Sequence, residues 1–244
     1  MIDKQLAKAA KDHGKVAAAR GRFTLSSLFI FAMQRAWCSF NPVTATDPGE
    51  KAEDRDRVLD DGELRAVWNA ADDGSEYGRI LQLLILTGQQ RQEVGAMMWD
   101  EINGPMWTIP AARTKNKRRH IITLPRVALA IIKTVPRRHD VPYLFGDYRG
   151  FVSWSHAKTE FNARCKIKPW VVHDLRRTAA SGMQRLKVRS EAIERALNHI
   201  SGSVRGVAGI YQRDPMTEEV AEALEKWSAH VHRVVGKRRI LIPA

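Results

Sequence analysis

The fold of this chain is decided by three segments: HDLRRT at 173–178, LNH at 197–199 and GIYQR at 209–213. His173 and Arg176 are three positions apart, so on a helix they share one face and can hold one anion together. Tyr211 offers a nucleophile, but a phenol with its ordinary pKa of about 10 reacts only beside cations or a base. The segments therefore carry the groups needed to bind and attack a phosphodiester.

A single His-x-x-Arg is usually a solvated helix surface and a single tyrosine usually packs, so neither is informative alone. Their ordered co-occurrence resembles the second half of the signature of the tyrosine recombinase, or phage integrase, family. That signature reads His-x-x-Arg, then Leu-Gly-His or Leu-Asn-His, then the nucleophilic Tyr. The resemblance implies catalytic roles for Tyr211, Arg176, His173 and His199.

The composition limits the possible partners. Forty Lys and Arg stand against 27 Asp and Glu among 244 residues, and the formal charge of +13 favours a polyanion such as double-stranded DNA. The longest apolar run, 25–33, is shorter than the roughly 20 residues needed to span a bilayer, and the first residues do not resemble a secretory signal. We therefore expect no membrane partner and a bacterial cytosolic or nucleoid location.

The two cysteines, Cys38 and Cys165, lie far apart and show no metal-ligand spacing. We expect both to be reduced packing residues. The sequence indicates no structural metal and no cofactor.

The chain divides by pattern into three parts. Residues 1–46 read as helix, ended by Asn41-Pro42, and resemble the last part of the helical core-binding, DNA-binding domain of integrases. Residues 47–58 are charged, contain Pro and Gly and show no apolar period, so they predict a linker. Residues 59–244 resemble the integrase catalytic domain. About half of the expected core-binding module is not seen, which predicts a weaker hold on DNA.

The first box of the family reads Leu-Thr-Gly-x-Arg-x-x-Glu, and this chain has LTGQQRQE at 86–93. The alignment places Gln90 at the first catalytic arginine. Arg91 is adjacent, but one residue along a helix means about 100° of rotation and 1.5 Å of rise, which predicts that it points away. We expect Arg91 to contact the DNA backbone and Glu93 to act as a structural acceptor.

Two segments of strand character, 106–110 and 120–125, bracket the basic run RTKNKRR at 113–119. Such a run is most often a solvated turn. Its wording nevertheless resembles the family hairpin that carries a catalytic lysine, here Lys115. The remaining cations expected to contact phosphates are Arg113, Lys117, Arg118, Arg119 and Arg177.

The fold class expected is α+β, mostly helical, with a small antiparallel sheet. An apolar stripe from Met216 to Val234 predicts a last helix, which could pack on its own chain or on a neighbouring protomer.

The resemblance implies site-specific DNA strand exchange through a 3′-phosphotyrosine intermediate, without ATP or metal, impaired by Gln90. It also implies a monomer in solution and a homotetramer on recombining DNA. Two other classes remain open: a degenerate relative that binds DNA without strand exchange, and an unrelated basic DNA-binding protein. Type IB topoisomerases are the nearest enzymatic neighbours, although the wording around His199 and Tyr211 favours the integrases.

Overall fold

Two units divide the chain, Met1–Arg55 and Asp56–Ala244. The computed structural model describes residues 2–48, 56–199 and 217–236. Tyr211, Met216 and the basic segment 237–239 lie outside the described residues.

The first unit contains helices α1 (Ile2–His13) and α2 (Lys15–Gln34) and a 3₁₀ turn at Pro42–Ala45. The sequence predicted helix up to Asn41-Pro42, which is wrong at two points. Gly14, with a φ of +87°, separates α1 from α2, and Ala36, with a φ of +57°, lies just beyond the end of α2. Both residues adopt left-handed backbone, which stops a helix without interrupting its apolar pattern.

By length and composition, α2 could cross a membrane. The expectation that no segment approaches the length of a membrane span is therefore wrong. The helix begins at Lys15, ten residues before the apolar run 25–33 on which that expectation was based. Arg22 near its middle donates to Thr46 Oγ1 (2.9 Å) and to the carbonyls of Val43 and Thr46. An arginine at the bilayer centre costs about 2.5–3.5 kcal/mol, so these bonds favour packing within the unit over insertion.

The second unit begins with α3 (Asp61–Ala71) and α4 (Glu76–Thr87), and both helices were predicted. The predicted capping box is present: Glu63 N–H donates to Asp60 Oδ1 (2.8 Å), and Asp60 N–H donates to Glu63 Oε2 (3.2 Å). Nearly every residue of α4 is buried. This helix is the central element of the core, as its strongly apolar sequence indicated.

The sheet is antiparallel and has three strands in the described part of the chain: β1 (Ile102–Asn103), β2 (Met106–Ile109) and β3 (His120–Thr123). The predicted hairpin is confirmed, with Ile109 paired to His120 at the end that adjoins the connecting loop. The basic run 113–119 therefore lies in the connection between β2 and β3. Only β1 was not predicted, because two residues carry no readable alternation.

The other helices are α5 (Arg91–Gly95), α6 (Arg126–Lys133), α7 (Trp154–Arg164), α8 (Val172–Arg185), α9 (Ser190–Ala196) and α10 (Thr217–Val235). The last of these packs on its own chain, against α3, α4, α8, α9 and β3. Trp227 is fully buried there and donates to the Ile85 carbonyl at 2.7 Å. A Cβ at Gly182 would lie 2.1 Å from the Trp227 ring, so the glycine permits this approach. The predicted α+β class is confirmed.

Candidate active site

The turn after α4 forms one wall of the site. Gly88 ends α4 in left-handed backbone (φ +64°), and Gln90 is the residue that precedes α5, with extended backbone. The Gln90 N–H donates to Glu93 Oε2 at 2.9 Å. Because Gln90 lies before the helix and not within it, the helical rotation that was expected to turn Arg91 away does not apply.

A cavity of about 180 Å³ opens beside this turn. Its lining comes from the α4–α5 turn and from the start of α8: Gln89, Gln90, Arg91, Val171, Val172, His173 and Arg176. Arg91 is exposed, and its guanidinium carbon lies 5.6 Å from the centre of the Trp154 ring. The structure therefore places Arg91 at the same cavity as Arg176, contrary to the expectation from helical phase.

Arg176 is the buried cation of the site, with 4% of its surface exposed. Its Nη1 donates to the Gly88 carbonyl (2.7 Å), its Nη2 donates to the Leu197 carbonyl, and its Nε donates to His199 Nε2 (3.3 Å). Burial lowers the pKa of Arg176 to about 10, and the nearby Glu93 carboxylate opposes this. The guanidinium remains charged at neutral pH, and two of its five N–H groups have no partner among the described residues.

His199 is placed by main-chain bonds at the end of α9. The His199 N–H donates to the Glu194 carbonyl (2.8 Å) and the Asn198 N–H donates to the Arg195 carbonyl (3.0 Å), which together form a Schellman motif. Asn198 adopts left-handed backbone, with a φ of +51°. This conformation suits glycine and asparagine, which gives a physical reason for Leu-Gly-His or Leu-Asn-His in the signature.

Three further groups surround Arg176. Desolvation, followed by the charge of Arg176, lowers the pKa of His199. Desolvation, followed by the charges of Arg177 and Arg176, lowers the pKa of His173. The exposed Lys115 has the smallest of the electrostatic effects that lower the pKa of each imidazole, and its neighbour Asn116 is bonded to Asn198, the residue before His199. Both rings are therefore neutral at pH 7, and His199 must carry its proton on Nδ1, because its Nε2 accepts from Arg176.

The basic loop is tied to the α9 end by two amides. Asn116 Nδ2 donates to Asn198 Oδ1 at 2.6 Å and to the Asn198 carbonyl at 3.3 Å. Asn198 Nδ2 lies 3.4 Å from Asn116 Oδ1. The residue after Lys115 and the residue before His199 are thus in direct contact.

Arg113 differs from the other cations of the loop. It forms two bonds of 2.7 Å with the carboxylate of Glu101, which is also bonded by Trp107 Nε1 at 3.0 Å. Arg113 keeps 18% of its side chain exposed and Glu101 only 6%, so this pair is structural. The phosphate contact expected of Arg113 stays a prediction, and the structure shows the side chain bonded to an internal carboxylate.

The remaining predicted DNA contacts are solvent-accessible. Lys117, Arg118 and Arg119 are exposed in the loop between β2 and β3. Arg177 is a third exposed and donates to the buried Asp174 at 3.0 Å. These side chains lie on the same unit as the cavity, and they leave the loop strongly basic. In the described part of the chain, no group of three or more His, Cys, Asp or Glu could hold a metal ion.

Sequence reasoning missed two residues that hold the α9 end in place. Gln89 Nε2 donates to the Ala196 carbonyl at 2.7 Å, and His120 Nε2 donates to the same oxygen at 3.2 Å. Both side chains are buried, with 2% and 7% exposed. The alternation of β3 could have shown that His120 points inward.

His120 should make folding stability depend on pH. Burial lowers its pKa from 6.5 to about 4, so the folded state requires the neutral ring. Between pH 6.5 and pH 4 the unfolded state binds a proton at His120 that the folded state does not. The stability that the neutral ring contributes is therefore fully present above pH 6.5 and is lost as the pH falls towards 4. This gap corresponds to about 3 kcal/mol. His120→Gln keeps an N–H donor without the titration, so its thermal unfolding should change less than that of the unsubstituted chain between pH 7 and pH 4. Equal pH dependence of the two proteins would contradict the assignment.

Comparisons with known proteins identify the fold and the family. The sequence model of the Phage integrase family matches residues 57–214. A lambda integrase fragment (75–356), crystallised as a dimer bound to a COC′ core site, superposes with a TM-score of 0.62 at 20% identity, over 84% of this chain and 80% of that chain. A longer lambda integrase dimer on the same core site superposes with a TM-score of 0.63 at 18% identity, over 88% of this chain and 64% of that chain.

An integrase from mycobacterium phage Brujita gives a TM-score of 0.56 at 14% identity, over 92% of this chain and 77% of that chain. The chain thus spans 64% of the longer lambda integrase chain that it resembles. No curated protein sequence shows significant similarity to it. Because the family's sequence model covers more than half of the chain, this protein belongs to the phage integrase family.

Proposed function

We propose that this chain is a site-specific DNA recombinase that cleaves and rejoins strands through a tyrosine, with Gln90 slowing the reaction. The alternative is a relative that binds DNA without strand exchange. The observation that carries the proposal is the contact of Arg176, which lines the cavity, with His199, whose segment is bonded to the loop that carries Lys115. Solved lambda integrases bound to DNA, one of them on a COC′ core site, support double-stranded DNA as the substrate.

Each group has a defined role in the proposed reaction. The Tyr211 oxygen forms a bond to phosphorus while the bond from phosphorus to the 5′ oxygen breaks, which leaves a 3′-phosphotyrosine and a free 5′-hydroxyl. His173, neutral at pH 7 because of its lowered pKa, accepts the phenol proton. Lys115 donates a proton to the leaving 5′ oxygen.

The transition state also needs charge compensation. The remaining N–H groups of Arg176 and the Nδ1–H of His199 bind the non-bridging oxygens. Because the bond energy is held in the phosphotyrosine, a 5′-hydroxyl from another strand can reverse the step without ATP. Gln90 can donate a hydrogen bond there but supplies no charge, which favours slow chemistry and keeps the binding-only alternative open.

A suicide substrate tests the proposal. The probe is a pool of duplexes with a randomised centre and a nick a few nucleotides beyond it, so that the short fragment carrying the 5′-hydroxyl is lost after cleavage. A recombinase accumulates a covalent protein–DNA product that survives denaturing electrophoresis, and sequencing the captured DNA gives the target. Binding without adduct, even after long incubation and in the Gln90→Arg variant, would support the alternative.

Salt should weaken binding steeply. Each phosphate contact lowers log K by about 0.9 per decade of salt concentration. Replacing Lys117, Arg118 or Arg119 with alanine should therefore reduce the slope of log K against log salt concentration by about 0.9 for each residue replaced. Fluorescence anisotropy on a random-sequence duplex measures this slope.

Arg113→Ala is the matched control for the salt series. It removes the same charge from the same loop but leaves the buried Glu101 unpaired, so it should cost about 3–5 kcal/mol of folding stability. Its direct effect on the salt slope should be small. An affinity that hardly changed between low and physiological salt would contradict a DNA-binding role.

The proposed function also implies an oligomeric state and a location. We propose a monomer in solution and a homotetramer on recombining DNA. A solved lambda integrase tetramer on a Holliday junction supports the second state only. We place it in the bacterial cytosol or nucleoid, without a membrane partner. Light scattering with and without a synthetic four-way junction measures the change in mass.

A further inference from the structure

The amide pair of Asn116 and Asn198 joins two segments that are 82 residues apart in the chain. One segment carries Lys115 and the other carries His199. The shortest bond of the pair has one direction, since Asn116 Nδ2 is the donor and Asn198 Oδ1 is the acceptor, at 2.6 Å. Asn116 Oδ1 in turn accepts from the Arg118 N–H at 3.1 Å, which folds the loop around the amide.

The two partners differ in how firmly they are held. Asn198 is fixed by the Schellman motif at the end of α9, and the preceding carbonyls are bound by Gln89, His120 and Arg176. The loop that carries Lys115 is exposed at Lys115, Lys117, Arg118 and Arg119. The pair therefore fastens an exposed loop to a rigid part of the site.

We propose that the Asn116–Asn198 pair is a positioning device that holds Lys115 beside His173 and His199, so that proton donation to the 5′ oxygen depends on it. This inference rests on the proposed function. Neither asparagine touches the reacting atoms, and both act through Lys115. Misplacing a catalytic group by about 1 Å can cost about 100-fold in rate, so loss of the pair should be visible in the proton-transfer step.

The direction of the bond gives matched substitutions. Asn198→Gly keeps the left-handed backbone and removes only the side chain, and Asn116→Ala removes the pair from the other side. Asn198→Asp retains the acceptor oxygen, whereas Asn116→Asp loses the donor, and both add the same charge. The substitutions are made in the Gln90→Arg background, where cleavage is expected to be fast enough to measure.

Two nicked duplexes separate positioning from general damage. One carries the natural 5′ oxygen at the scissile phosphate, and the other carries a bridging sulfur, which leaves as a thiolate without needing a proton. Asn116→Ala, Asn198→Gly and Asn116→Asp should slow adduct formation on the oxygen substrate about 10- to 100-fold and hardly affect the sulfur substrate. Lys115→Ala should show the same pattern, and Asn198→Asp should react like its parent. The double variant Asn116→Ala/Asn198→Gly should be no slower than either single one.

Equal slowing on both substrates, or no slowing on either, would overturn the proposal. Hydrogen–deuterium exchange on the free proteins gives a test without DNA: Asn116→Ala should speed exchange in residues 111–119, while Asn198→Asp should not. If the Gln90→Arg parent forms no adduct but Asn116→Ala still speeds exchange in residues 111–119, the proposed function fails, whereas the Asn116–Asn198 pair is still shown to hold the loop. If hydrogen–deuterium exchange is unchanged in Asn116→Ala, the positioning role fails, whatever rates of adduct formation are measured on the two duplexes.

Discussion

Tyr211→Phe should abolish covalent attachment to the nicked duplex while leaving DNA affinity and thermal stability almost unchanged. The substitution removes the attacking oxygen and keeps the ring. The chain has four tyrosines. Tyr77 is 5% exposed and burial raises its pKa, so its phenol stays protonated. Tyr211 is the tyrosine in the segment that follows His199, and peptide mapping of the captured adduct should identify it.

Tyr148→Phe is the control for this experiment, because Tyr148 is 71% exposed and can be changed without disturbing the core. It should form adduct at the unsubstituted rate. Adduct in the Tyr211→Phe protein would mean that another residue attacks, and the assignment of the nucleophile would have to be abandoned.

Gln90→Arg should raise the rate of cleavage at least 100-fold with little change in DNA affinity. A missing oxyanion donor costs about 10²–10³ in rate, and a phosphoryl-transfer arginine can be worth about 10³–10⁵. The position is prepared for a cation, because Glu93 is buried nearby with a pKa that burial raises above its ordinary range. A guanidinium at residue 90 would line the same cavity as Arg176, close to the Glu93 carboxylate that accepts from the main-chain N–H of residue 90.

Gln92→Arg is the matched control, since it adds the same charge two residues further along, at an exposed position. It should not accelerate cleavage. Arg91 is the other cation that could take the place of the missing arginine, because it lines the same cavity as Arg176. If the Gln90 protein already cleaves fast and Arg91→Gln slows it, then Arg91 is the second arginine. A Gln90→Arg protein that binds DNA and remains inert would locate the defect elsewhere.

Local signals predicted much of the fold. The capping box at Asp60 and Glu63, the apolar helix α4 and the basic hairpin are each readable from a short window, because their stabilising contacts lie within a few residues. The pairing of His173 and Arg176 on one helix also followed from spacing alone. The helix stop at Ala36 could not be predicted, since left-handed backbone at alanine leaves no compositional mark, whereas the glycine at position 14 was a signal that the sequence analysis did not use.

The supporting contacts of the site could not be predicted in the same way. Gln89 reaches Ala196 across 107 residues and His120 reaches it across 76, so each bond depends on how helices and sheet pack. Arg113 shows a second limit: within a basic run it resembles a solvated cation, but its partner Glu101 is 12 residues earlier and buried. Charge patterns alone do not separate a solvated cation from a paired one.

The carbonyl oxygens of Gly88, Ala196 and Leu197 accept the bonds that hold Arg176, Gln89 and His120. Main-chain oxygens are present whatever amino acid is encoded, so no codon change at 88, 196 or 197 can delete an acceptor. Damage by point mutation must therefore come from the three donors or from a shift of the backbone. Substitution at the acceptor positions is limited by the buried apolar surroundings of Ala196 and Leu197 and by the left-handed backbone of Gly88, where a Cβ would also lie 2.6 Å from Leu197.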